Sequence, residues 1–189
     1  MGFLDSLLGR TKPVQPNLDQ LFSLPNAALT LEAAAGFKPT GLGAVCYRKA
    51  EGVAFTQVET DVEQLLEGVD GPKVQVSQDE YGYTWLLCRR ASDQISDLVT
   101  DLHAVNSALQ DTGFGPYLLC TLVSFEDPQG RRVALVYLYK KGTFYPFAPQ
   151  GQPKRDNMLE IQVKSEVGAD LPIEKDLSRW FPVWGAPGL

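Results

Sequence analysis

The chain is short of the residues that most chemistry needs. Its 189 residues include one histidine, His103, and three cysteines, Cys46, Cys88 and Cys120. A lone histidine leaves acid–base catalysis with few agents, and the sequence signals no carboxylate and nucleophile arranged around it. His103 borders the apolar stripe of a helix and reads as a boundary residue with a satisfied ring. The cysteines are odd in number and far apart. They suit neither a disulfide framework nor the close Cys-x-x-Cys pairs of a structural zinc site, and they read as buried, reduced thiols of a cytosolic protein. No Walker-type phosphate loop, GxSxG elbow or HExxH pair occurs. The glycines of Gly41-Leu-Gly43 precede a strand instead of following one. That order is wrong for a dinucleotide loop, and the segment reads as a turn. The expectation is a non-enzymatic protein with no cofactor and no metal.

Basic excess is also missing. A net charge of -6 disfavours nucleic acid as a partner, because no surplus of cations exists to displace its counterions. No run of about 18 apolar residues is present to cross a bilayer. The N-terminus lacks a basic start, a long apolar middle and a small-residue cleavage site, so it does not read as a secretory signal. A cytoplasmic location is expected, with a place at the inner face of the membrane still open, since a local apolar anchor can outweigh global charge.

What the chain has is a globular share of apolar residues, 44%, enough for a real core. The clearest stretch runs from Ser92 to Pro149. Ile95, Leu98, Val99, Leu102, Val105 and Leu109 recur at helical spacing. Ser92 or Asp93 is the expected cap, and Gly113 suits the left-handed position past the end. Two β-rich runs follow, Tyr117–Phe125 and Arg132–Tyr139, joined by the turn residues Asp127-Pro-Gln-Gly130. A second helix is expected over Ala54–Glu67, and a hairpin over Lys73–Ser77 and Tyr83–Arg90. Pro146 and Pro149 confine the stretch after Lys140 to an edge strand or extended loop. Met158–Val167 alternates apolar and polar and reads as a half-buried strand. Pro172 is expected to open a short helix through Trp180. Leu18–Leu24 reads as a brief helix capped by Asn17 and ended by Pro25, while Asn26–Phe37 suits helix or strand equally. The order strand, helix, strand, strand, helix, strand matches a split βαβ arrangement. The fold class is therefore α+β, a mostly antiparallel sheet with helices packed on one face.

Three aromatic or apolar groups stand out as candidate sites. Phe3, Leu4, Leu7 and Leu8 line one face of a short N-terminal helix, and Lys12-Pro-Val-Gln-Pro16 follows as a stiff spacer. Residues 1–16 thus read as a tethered anchor for a membrane surface or a partner, or as a helix packed on its own domain, with 17–189 as the α+β domain. Tyr81, Tyr83 and Trp85 alternate down one strand face. With Phe144, Tyr145 and Phe147 they can form an aromatic pocket, although such rows also serve to cover a sheet. The terminal segment holds Trp180, Phe181 and Trp184, which either close over the core or form a second docking surface.

MGFLDSLLGR, LTLEAAAGFKPTG, YGYTWLLCRR, DLVTDLHAVNSALQDTGFGP, ALVYLYKKGTFYPFAP, RDNMLEIQV and RWFPVWGAPGL are long, unusual strings spread over nearly the whole chain. On these residues the chain resembles the PspA-associated family PspAB. The resemblance implies an accessory or adaptor of a PspA-type coiled-coil protein in the bacterial envelope-stress response. It supplies no catalytic residues. In that context Phe3, Leu4, Leu7 and Leu8 are expected to dock on lipid or on a groove of PspA. Two other readings compete. One is a chaperone-like dimeric domain that covers an apolar client segment. The other is a small-ligand sensor or enzyme built on the aromatic pocket.

Overall fold

Six strands form one antiparallel sheet: β1 (Lys38–Arg48), β2 (Val74–Gln78), β3 (Tyr83–Arg89), β4 (Leu118–Glu126), β5 (Arg132–Leu138) and β6 (Thr143–Phe147). Their spatial order is β2-β3-β1-β4-β5-β6. Among the described residues four α-helices accompany them: α1 (Leu24–Ala35), α2 (Val53–Leu66), α3 (Ile95–Leu109) and α4 (Asn157–Val167). The structure is a computed structural model that describes residues 16–49, 51–66 and 74–189. β1 to β4, with α2 and α3, form the expected split βαβ core, in which β3 inserts between β1 and β2. β5 and β6 widen the sheet beyond β4.

All strands but β2 are apolar on both sides, because both faces of the sheet are covered there. Val45, Tyr47, Leu86, Val123, Phe125 and Leu135 point into the layer that holds the helices. Their neighbours Ala44, Cys46, Trp85, Leu87, Leu122 and Val136 point the other way. That second face is closed by the extended C-terminal tail, whose Trp180 and Ala186 are buried against it. The alternation along β1 and β3 to β6 therefore separates two apolar layers, where an ordinary antiparallel sheet would separate apolar from wet; β2, at the edge, has no buried residue.

α3 crosses close over β1. Leu98, Leu102 and Val105 are buried in this layer, and Gly43 makes the approach possible, because a Cβ there would stand 2.7 Å from Leu102 Cδ1. Gly41 has φ +79°, and its carbonyl accepts Arg90 N at 2.9 Å. The glycines expected to form a turn thus lie inside β1, where the pairing with β4 shifts register between Pro39 and Gly43. They mark a bulge within the strand. The turn at Asp127–Gly130 is as expected: Asp127 Oδ1 accepts Gln129 N and Arg131 N, and Gly130 has φ +78°.

Several local expectations are overturned. Neither Ser92 nor Asp93 caps α3; its cap position is Gln94, whose Oε1 accepts Ala91 N. Pro25 does not end a helix. It sits in the first turn of α1, where its missing N–H removes nothing. Met158–Val167 is helix α4 and not a strand. Leu159, Val163 and Val167 are buried at four-residue spacing, while Ile161 and Met158 are exposed. Asp156 caps this helix by accepting Leu159 N at 3.0 Å. Pro172 opens no helix. Its carbonyl accepts Phe144 N, Ile173 bridges the outer edge of β6 in parallel, and only Leu177–Arg179 forms a helical turn. The opposite edge of the sheet, β2, pairs only with β3 among the described residues.

Candidate functional site

The tail does not seal the second sheet face completely. Between the β2–β3 turn, the floor of the sheet and residues 179–184 lies a groove of about 520 Å³, within the size range of ligand sites. Its construction starts at Asp79. The Oδ1 atom accepts Tyr81 N and Tyr83 N, both at 2.9 Å, and Oδ2 accepts Trp85 Nε1 at 2.9 Å. One carboxylate thus shapes the turn and fixes the indole. Tyr81 and Tyr83, 57% and 38% exposed, line it from the hairpin, and Phe181, 58% exposed, lines it from the tail. Trp184 contributes at the same side.

The floor holds Trp85, Tyr145, Cys46 and Cys120. Cys46 of β1 stands directly opposite Cys120 of β4. The hydrogen bond that the Cys46 thiol donates to Cys120, and then burial, push that thiol far above its ordinary value, so it stays protonated and is no nucleophile at neutral pH. Burial likewise pushes the Tyr145 hydroxyl well up, and it donates to the Phe181 carbonyl at 2.7 Å. All three cysteines are free and buried. Lys140, Lys141 and Arg179 supply the cations of the lining.

The groove gathers residues from two separate expectations. Tyr81, Tyr83, Trp85 and Tyr145 come from the aromatic pocket, and Phe181 and Trp184 from the terminal segment. Three expected members fall elsewhere. Phe144 points to the helical face, buried against Tyr137 with ring centroids 5.1 Å apart, because it is adjacent in the strand to Tyr145. Phe147 packs edge-on against Trp184 at 4.9 Å and lines a neighbouring cavity of about 510 Å³ with Arg131 and Arg132. Trp180 is buried, stacks on Tyr145 at 6.1 Å and donates from Nε1 to the Glu174 carbonyl. It packs into the core on this face of the sheet. Phe3, Leu4, Leu7 and Leu8 lie outside the described residues.

Sequence reading missed Asp79, Lys140, Lys141 and Arg179. Asp79 had a signal, since a carboxylate opening a short hairpin loop commonly accepts the loop's N–H groups. Elsewhere, His103 has Ser107 Oγ 3.4 Å from Nδ1 and Asp19 Oδ1 3.4 Å from Nε2. These distances are at the outer limit of hydrogen bonding, and the Asp19 side chain is 83% exposed, so the carboxylate is too solvated to orient the ring. Among the described residues no group of three or more His, Cys, Asp or Glu is placed to hold a metal ion. Among them, too, no helix is long and apolar enough to cross a membrane.

The fold and groove define an α+β domain with one sheet, a helical layer on one side and an aromatic groove under the tail on the other. Its family is settled by the chain as a whole. Residues 1–188 match the family described as PspAB, PspA associated protein B, and the chain belongs to that family. No curated protein and no solved structure matches it.

Proposed function

We propose that this protein is a non-enzymatic accessory of a PspA-type coiled-coil protein, working in the cytoplasm on the envelope-stress response. The observation that carries the reading is the family match over residues 1–188, whose description is association with PspA. The groove supports it. Exposed tyrosine and phenylalanine over a buried tryptophan are the side chains that anchor protein contacts. The protonated floor thiol offers binding surface and no nucleophile. The apolar residues Phe3, Leu4, Leu7 and Leu8 act in this reading as a second anchor, on the partner or on the inner membrane surface.

The test is pull-down of PspA and flotation with anionic liposomes, using the full chain, a form lacking residues 1–12, and Leu7→Ser/Leu8→Ser. The full chain binds PspA. The double variant keeps its thermal midpoint while losing part of its binding to PspA or to liposomes. Failure of the full chain to bind PspA refutes the reading. A fall in thermal midpoint in the double variant returns the N-terminal segment to the domain core. A small-ligand sensor is the second reading, favoured by the size of the groove.

A further inference from the structure

We infer that the groove under the tail receives a segment of the protein partner that carries one or two large apolar side chains flanked by carboxylates. This rests on the accessory reading and names the surface and chemistry through which it works. The walls are open, since Tyr81 and Phe181 are each more than half exposed. An open aromatic cleft suits side chains presented from a backbone better than a small molecule that must be enclosed to bind. Trp85 and Tyr145 make a rigid floor, fixed by bonds to Asp79 and to the Phe181 carbonyl. An entering apolar group therefore meets a preformed surface and pays little ordering entropy.

The charge of the partner follows from the rim. The chain as a whole is acidic, at -6, yet the cations of the lining outnumber its acids. Lys140 and Lys141 are exposed and form no ion pair among the described residues, while Arg179 is held by Glu174 and Asp176 at 3.6 and 3.5 Å. Among the described residues Asp79 is the one acidic group in the lining, and both its oxygens are occupied by the hairpin's own donors. A carboxylate arriving beside Lys140 and Lys141 is attracted, whereas a cation finds no free acid in the groove. A second copy is the less suited occupant on a separate ground, because two chains that each carry a net charge of -6 repel one another.

The experiment titrates purified PspA against the full chain, Lys140→Glu/Lys141→Glu and Phe181→Ala. All three positions are exposed, and circular dichroism checks the fold of each variant. The charge-reversed form binds about tenfold more weakly and loses the salt dependence of the full chain. Phe181→Ala weakens binding about five- to tenfold. Binding unchanged in both variants overturns the inference while leaving the accessory reading intact. A parallel titration uses two synthetic peptides, each with two leucines four residues apart, one flanked by glutamates and one by lysines. If the full chain fails to bind PspA but binds the glutamate peptide alone, the accessory reading falls and the groove chemistry stands. Equal binding of both peptides, or of neither, overturns the groove chemistry. A concentration-dependent dimer that Phe181→Ala abolishes in sedimentation also overturns it, because the occupant is then a second copy.

Discussion

Replacing Asp79 by asparagine tests whether one carboxylate builds the wall and floor of the groove. The aspartate accepts at both oxygens, two backbone N–H groups on Oδ1 and the indole N–H of Trp85 on Oδ2. Asparagine has one acceptor oxygen and one amino group. With the oxygen toward Tyr81 and Tyr83, the amino group faces the Trp85 donor; with the amide turned over, it faces two backbone donors. Trp85 is 2% exposed, so water cannot replace its lost partner. Stranding a buried donor costs about 1–3 kcal/mol. Asp79 is only partly buried, which places Asp79→Asn in the lower part of that range, at about 1–2 kcal/mol, and Asp79→Ala, which removes all three bonds, at about 2–4 kcal/mol. At about 2–4 °C per kcal/mol for a chain of this size, the asparagine variant melts about 2–8 °C lower. Urea denaturation followed by tryptophan fluorescence and circular dichroism measures the change. Trp85→Phe completes a double-mutant cycle, since phenylalanine has no N–H to strand, and the coupling is about 1–2 kcal/mol. An asparagine variant within about 0.5 kcal/mol of the parent, or a cycle additive to within about 0.3 kcal/mol, refutes the reasoning.

Two further predictions concern the frame around the groove. Arg155 bonds Glu160 through Nε at 2.8 Å, the Trp180 carbonyl through Nη1 at 2.8 Å, and lies over the Phe147 ring at 5.0 Å. The Glu160 side chain is 3% exposed and also accepts Ala148 N. Arg155→Ala strands that carboxylate and unties α4 from the tail, so it destabilises by about 3 kcal/mol in urea denaturation, the low end for breaking a buried pair because the arginine is partly exposed. Asp127 gives a pH signature. Burial opposes its ionisation, but the Arg131 guanidinium and the N–H groups of Arg131 and Gln129 outweigh this and hold its carboxyl below the ordinary 3.8. A depressed carboxyl stabilises the fold above the unfolded value and loses that contribution as pH falls through the folded one. The urea midpoint therefore drops between pH 5 and pH 2, and Asp127→Asn shows a smaller drop over the same interval (about those limits, set by carboxyl titration).

The helical and hairpin frame was legible because its patterns are local. α3 shows an uninterrupted 3.6 period, and the turn at Asp127–Gly130 carries its own side-chain acceptor. α4 was misread because Leu159, Ile161 and Val163 satisfy a period of two as well as Leu159, Val163 and Val167 satisfy a period of four, and only the tertiary contacts decide that Ile161 is exposed. The groove was half legible. Tyr81, Tyr83 and Trp85 share a face by strand alternation, and the same rule should have separated Phe144 from Tyr145, which are adjacent. The tail's role was not legible, since nothing in the Trp180–Trp184 segment specifies that it lies on the second face of the sheet. Lys140 and Lys141 follow β5 in sequence, far from Tyr81, and join the groove only through the strand order.

The two edges of the sheet differ in what they permit. Ile173 bridges the outer edge of β6 at Phe144, whose N–H and carbonyl bond Pro172 and Glu174, and Pro146 within that strand removes one further donor. β2 has no such guard among the described residues. A sheet open at both ends can add copies without limit and grow into a fibre, whereas one open at a single end can join one more strand and then has no edge left to offer. Blocking one side turns a polymerisation hazard into a self-terminating contact, and the two edges of the described sheet are unequal in that sense.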